Sequence, residues 1–155
     1  MKAYQLDQTD FALLNLLQQD GLMTYKELSG KTRKSMTNVA ERVRNLKEMG
    51  YISSTVALVD LKKIRTLFVA FPHVQLISHA EDVLRKFQNE VTQFPEVLEC
   101  YHLTGHYDYM LKIAMPDMVS FNAFIREKLG ALENVGSVES FLVLSQTKHS
   151  TAYHL

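Results

Sequence analysis

His102, His106 and Asp108 bring two imidazoles and a carboxylate into one short stretch of the chain. Such groups share protons well enough for acid–base catalysis. No second cluster, Gly-rich phosphate loop or nucleophile elbow accompanies them, so an enzyme is not expected. The lone Cys100 lies in a strand pattern, where a free cysteine is ordinarily a core residue, and one cysteine cannot close an internal disulfide. Zinc would need Cys100 plus ligands from six scattered histidines without finger-like spacing, so neither a metal site nor a cofactor is expected. Gly105, His106 and Asp108 read better as a hairpin corner. Glycine permits positive φ, and exposed N–H groups beside an aspartate can hold the carboxylate of an amino acid while the aspartate holds its ammonium. A turn with no ligand is the alternative.

The second constellation is cationic, and the whole-chain sums hide it. The 155 residues carry 17 Lys+Arg against 17 Asp+Glu, a balance that argues against a nucleic-acid protein if the charges are spread evenly. They are not: residues 26–47 hold seven basic side chains and only two acidic ones, Glu27 and Glu41. Within that segment Lys31, Arg33, Lys34, Arg42, Arg44 and Lys47 are placed to meet phosphates, while Ser35, Thr37, Asn38 and Glu41 offer short hydrogen-bonding groups to base edges. A solvated helix face is the alternative.

These groups must be positioned by ordered elements. A first helix follows Asp7, with Phe11, Leu14 and Leu17 on one stripe, and ends near Gly21. Thr24-Tyr25-Lys26-Glu27 is a capping box for a second helix running to about Gly30. Ser35 caps a third, whose buried stripe is Met36, Val39, Ala40, Val43 and Leu46 and whose stop is Gly50. The alternating residues 53–59 suggest a short β wing, which makes this part a winged helix-turn-helix. Beyond a junction at Asp60 to Lys63 come a strand from Ile64 to Phe71 closed by Pro72, a helix capped by Ser78 and Glu81, and strands Val97 to Leu103 and Tyr107 to Met115 joined at Thr104-Gly105-His106. A helix capped by Asp117 and a strand Val138 to Leu144 complete the order βαββαβ. The class is α+β, with a ferredoxin-like second half whose two crossovers put both helices on one sheet face. The other face needs a cover, so sheet-to-sheet dimerisation is expected. No apolar run approaches the roughly 20 residues of a membrane span, and the start lacks a secretory apolar stretch, so a cytoplasmic protein is expected.

Leu6-Asp7-x-x-Asp10-x-x-Leu13-Leu14, Glu27-Leu28, Glu41-Arg42-Val43-Arg44-x-Leu46 and Gly50-Tyr51-Ile52 resemble the DNA-binding half of the Lrp/AsnC, or feast/famine, transcription regulators. Pro95-Glu96-Val97-x-Glu99-Cys100-x-x-Leu103-Thr104-Gly105-x-Tyr107-Asp108-Tyr109 and Pro116-Asp117-Met118 resemble the ligand-binding half. Together these segments cover Leu6 to about Thr147. The resemblance implies a DNA-binding domain over 1–60 and a ligand-binding, oligomerising domain over 61–155, of the ACT-like kind called RAM. It also implies double-stranded DNA as partner, an amino acid or similar small effector near Thr104, Gly105, His106, Tyr107 and Asp108, and homodimers assembling into octamers. Where the family has glycine and then an apolar residue before the recognition-helix serine, this chain has Arg33-Lys34. Either Arg33 adopts the left-handed conformation, at a cost on the order of 1 kcal/mol, or the turn is rearranged with both cations aimed at phosphate. Two other functions fit some of these features: an architectural DNA protein without an effector, and a metabolite-binding or enzymatic module with no DNA role.

Overall fold

The computed structural model describes residues 5–60, 63–65 and 67–155. Met1–Tyr4, Leu61 and Lys62 of the expected junction, and Thr66 of the expected first strand lie outside the described residues. The chain divides into two compact units, one reaching to Leu58 and including Lys148–Leu155, the other spanning Val59–Thr147. The expected division into 1–60 and 61–155 therefore differs at the C-terminus, where the last eight residues pack with the first unit.

In the first unit, α1 (Gln8–Gln19) begins with a reciprocal cap: the Asp7 carboxylate accepts from the N–H groups of Thr9 and Asp10, and the Asp10 carboxylate accepts from the Asp7 N–H. The Thr24–Glu27 box opens α2 (Tyr25–Thr32) as expected, though this helix runs two residues past Gly30. Ser35 Oγ accepts from the Asn38 N–H, 3.2 Å away, to start α3 (Met36–Glu48). Leu13, Leu14, Leu28, Val39, Val43 and Leu46 form the core. Met36, expected in that stripe, is 56% exposed at the first position of the helix. Residues 53–60, where the wing is expected, pair with no strand among the described residues. Thr55 instead lies so close to Gly21 that a Cβ there would come within 2.8 Å of its methyl carbon. The C-terminal tail is held on α1 by Gln18, which donates to the Tyr153 carbonyl and accepts from the Tyr153 N–H.

The second unit is a four-stranded antiparallel sheet in the order β2-β3-β1-β4, with β1 Phe68–Leu76, β2 Val97–His102, β3 Tyr109–Met115 and β4 Val135–Leu142. With α4 (Glu81–Val91) after β1 and α5 (Met118–Ala123) after β3, this is the expected ferredoxin-like order. Both β1 and β4 are displaced from the expected spans. Pro72 sits inside β1 rather than closing it; pairing with β3 passes from Ala70–Ile113 to His73–Met110, a gap falling where proline has no N–H to give. The expected Ser78 box does not form either: Ala80 occupies the cap without a side-chain bond, and Ser78 accepts from the Ala80 N–H instead. Asp117 does cap α5, which continues as a π-helical turn over Phe124–Leu129. Alternate strand residues Ala70, Val74, Leu76, Tyr109, Leu111 and Ile113 pack with Phe87, Val91, Phe121 and Phe124 of the helices. The opposite sheet face carries the paired Phe71 and Phe141, the latter 49% exposed. Among the described residues no helix is long and apolar enough to cross a membrane.

Candidate nucleic-acid interface and effector loop

Burying Val39, Val43 and Leu46 against α1 and α2 turns the opposite side of α3 outward. Thr37, Glu41 and Arg44 are exposed there, and with Ala40 and Tyr25 they line one shallow groove. Tyr25, the first residue of α2, was missed by the sequence reading, which treated its segment only as a cap; its place beside α3 depends on how the two helices pack. Arg44 keeps its side chain 64% exposed and meets Glu48 only loosely, at 3.9 Å. Lys31, Arg33, Lys34 and Lys47 are exposed as well.

Arg33 does take the left-handed conformation, at φ 55° and ψ 35°. Two side-chain bonds frame it: Thr32 Oγ1 donates to the Leu28 carbonyl at 2.7 Å, and Ser29 Oγ donates to the Lys34 carbonyl at 2.6 Å. The turn thus keeps its geometry without glycine and presents a cation at its apex.

Arg42 has another task. Its Nη1 lies 2.8 Å from both Asp7 and Asp10, and its Nε donates to Asn38 Oδ1 at 3.0 Å. Asp10 is almost fully buried, at 1% exposure. Hydrogen bonding to Asp10, against some desolvation, holds the guanidinium pKa above its ordinary value, and the Asp10 N–H, with Arg42 adding to it, holds Asp7 below its own. Arg42 is therefore a cross-link from α3 to the start of α1, where the sequence reading had it meeting phosphate. That role was invisible because Asp7 and Asp10 are 35 and 32 residues away in sequence.

The candidate effector residues occupy the loop between β2 and β3, longer than the expected tight turn and closed by the Leu103 N–H donating to the Asp108 carbonyl at 2.8 Å. Thr104, Gly105 and His106 are exposed, and Gly105 has φ 119°, a conformation that side chains disfavour. Tyr107 donates its hydroxyl to Glu139 of β4 and packs its ring against His73 and His106. Asp108 turns inward: one oxygen accepts from the Leu76 N–H at 2.7 Å and the other lies 2.9 Å from His79 Nε2. Both oxygens already hold partners, so the aspartate fastens the end of β1 and the approach to α4, where the sequence reading had it receive an ammonium group. The exposed backbone of Thr104 to His106 remains open. Cys100 packs against the core, and burial pushes its thiol pKa up, which suits an unreactive residue.

Residues 69–153 match the family model of the Lrp/AsnC ligand binding domain, and residues 6–53 match that of a winged helix-turn-helix DNA-binding domain. The chain is 35% identical over 147 residues to the transcriptional regulator AzlB of Bacillus subtilis (strain 168), covering 95% of this chain and 94% of that protein. It is 33% identical over 145 residues to the leucine-responsive regulatory protein of Escherichia coli (strain K12), covering 94% and 88% respectively. A transcriptional regulator of Neisseria meningitidis, solved in complex with L-Met, superposes with a TM-score of 0.89 at 32% identity, over 96% of each chain.

Proposed function

The chain belongs to the Lrp/AsnC family of transcription regulators, joining a winged helix-turn-helix DNA-binding domain to an Lrp/AsnC ligand-binding domain, and on that premise we propose how it reads DNA and an effector. It is a sequence-specific regulator in which Thr37, Glu41 and Arg44, with Ser35 and Asn38 beside them, meet base edges in a major groove. Lys31, Arg33, Lys34 and Lys47 meet phosphates on either side. The observation that carries this reading is the outward stripe of α3, polar along its centre and framed by exposed cations, on a helix whose other side is locked into the core.

The effector is an amino acid or a similar small molecule, the class that the L-Met complex of the Neisseria relative represents. It engages the exposed backbone of Thr104, Gly105 and His106 and the Tyr107 ring. With Asp108 engaged inside its own chain, the ammonium partner comes from a neighbouring copy. The half-open sheet face around Phe71 and Phe141 pairs two chains, dimers assemble further toward an octamer, and the regulator works in the cytoplasm without catalysing a reaction. Two-fold pairing places two recognition helices on one duplex, so the operator has two half-sites.

Selection of bound sequences from random duplex DNA, repeated with each amino acid present, tests the whole reading. The expected outcome is a two-half-site motif whose enrichment changes with at least one amino acid. Binding by a dimer making roughly 6–10 phosphate contacts should weaken about 10³–10⁵-fold between 50 and 200 mM salt. Salt-independent binding, or recovery of random sequence alone, would overturn it. Gly105→Asp, which forces a side chain into the φ 119° position, should abolish the amino-acid response in calorimetric titration; an unchanged titration would move the effector elsewhere.

A further inference from the structure

Glu41 lies in the middle of the outward stripe of α3, where Thr37, Ala40, Glu41 and Arg44 fall at the i, i+3, i+4 and i+7 spacing of one helix face. Neither neighbouring arginine neutralises it. Arg42 is engaged with Asp7, Asp10 and Asn38, and Arg44 reaches toward Glu48 instead. Glu41 is exposed and makes no hydrogen bond or ion pair among the described residues. A carboxylate at neutral pH accepts hydrogen bonds and donates none. Facing DNA it is repelled by every phosphate, so it gains only from a base-edge donor, and the major groove offers two, cytosine N4 and adenine N6. N6 stands between two acceptors, adenine N7 and O4 of the paired thymine. N4 has guanine O6 on one side and the apolar C5 edge of its own ring on the other, so a carboxylate meets less opposition at cytosine. The groove that Glu41 borders is also lined by Ala40 and by Tyr25 from the start of α2, which give it an apolar side.

We infer that Glu41 reads cytosine and that Ala40 and Tyr25 receive the substituent at its C5 position, so the protein accepts 5-methylcytosine where it rejects thymine. Both of those bases carry a methyl group at C5. They differ beside it: thymine turns the lone pairs of O4 toward the carboxylate, whereas cytosine, methylated or not, turns an amino hydrogen. Discrimination between them rests on the one carboxylate, and the apolar lining sets how well the methyl group is received. This inference rests on the proposal that α3 enters the major groove.

The test uses the full chain, the sequences it selects from random duplex DNA, and titration of the selected duplex. The wild type should favour cytosine over thymine at one position of each half-site by about tenfold. Glu41→Ala should bring that ratio near one while the other positions keep theirs. Glu41→Gln, whose amide pairs two-fold with adenine, should move the preference to adenine. On the selected duplex, 5-methylcytosine at that position should bind the wild type about two- to fourfold more tightly than cytosine, the worth of a methyl group leaving water. Tyr25→Ala should reduce that gain and keep the ratio of cytosine to thymine. Each ratio is read within one protein, so a change in overall affinity does not enter it. Glu41→Ala tightening on all duplexes alike with every base preference kept, or a C5 methyl group that weakens wild-type binding, would overturn the inference and leave the DNA-binding proposal standing. A wild type that selects no sequence at low salt would overturn both.

Discussion

Val39, Val43 and Leu46 of the first unit are covered by α1 and α2 of the same chain, whereas Phe71 and Phe141 of the second unit pair side by side on the sheet face turned away from the helices, Phe141 edge-on to His73 and half-exposed. The first unit completes its core with six buried residues, three side-chain caps and the Arg42 cross-link. The second has twice as many buried residues, shared between one sheet face and the helices over it, and a half-exposed Phe141 beside Phe71 on the other face. A small helical unit has little apolar area to bury, so charged groups take part in holding it; a sheet has two faces, and two helices cover only one. The same contrast runs through the charged candidates. Arg42 and Asp108 each sit among residues proposed to face a ligand, yet each is engaged inside its own unit, fastening one element to another.

The largest effect that would sharpen this contrast comes from Arg42→Ala. It takes the guanidinium away from the buried Asp10 carboxylate, and breaking a buried pair in this way costs about 3–5 kcal/mol. Urea unfolding should show the first unit melting first, with the second unit's transition in place. A variant of wild-type stability that has lost DNA affinity would return Arg42 to the phosphate-contact role. Next in size is Phe141→Glu, which sets a carboxylate on the open face. Loss of a central aromatic anchor is worth about 2–4 kcal/mol of association, enough to convert a micromolar dimer to monomer in sedimentation velocity while the circular dichroism spectrum stays that of the folded chain. An unchanged dimer would mean that chains pair through some other surface.

The smallest effect is Thr24→Ala, expected to cost about 1 kcal/mol at neutral pH through loss of the α2 cap. The backbone N–H of Thr24, aided by its hydroxyl, holds the Glu27 carboxyl below its ordinary value of 4.5. A depressed carboxylate contributes stability that is whole above the unfolded value and is lost as pH falls through the folded one. The variant keeps the Thr24 N–H and loses only the hydroxyl's bond to the carboxylate, so the gap in melting temperature between wild type and variant should narrow in part as the pH drops below 4.5, and a constant gap would show that the hydroxyl caps the helix without the Glu27 charge.

Much of the fold was legible because its signals are local. Thr24-Tyr25-Lys26-Glu27 and Asp117 announce their caps within three residues, and the 3.6-residue stripe of α3 places Val39, Val43 and Leu46. The turn before Ser35 was half legible: Arg33-Lys34 named its occupants, and the left-handed φ was one of two outcomes they allowed. The β1 boundary was not, because proline closes strands in isolation but is accommodated where the neighbouring strand needs no N–H from it.

By itself, the sequence determined the two kinds of unit, the order of their elements, the cationic segment and the loop that carries Gly105, all features set by periodicity, capping and composition over a few residues. Tertiary structure alone decided what individual polar groups are for. It drew Arg42 to Asp7 and Asp10, turned the Asn38 amide, brought Asp108 to Leu76 and His79, and laid Tyr153 on Gln18. These partners lie from 29 to 135 residues apart, apart from the one-turn pair Asn38 and Arg42, whose bond holds a single orientation only because the distant aspartates keep the guanidinium in place. A polar side chain takes the partner that satisfies it at least cost in desolvation and entropy, and only the packed fold determines which partner is within reach.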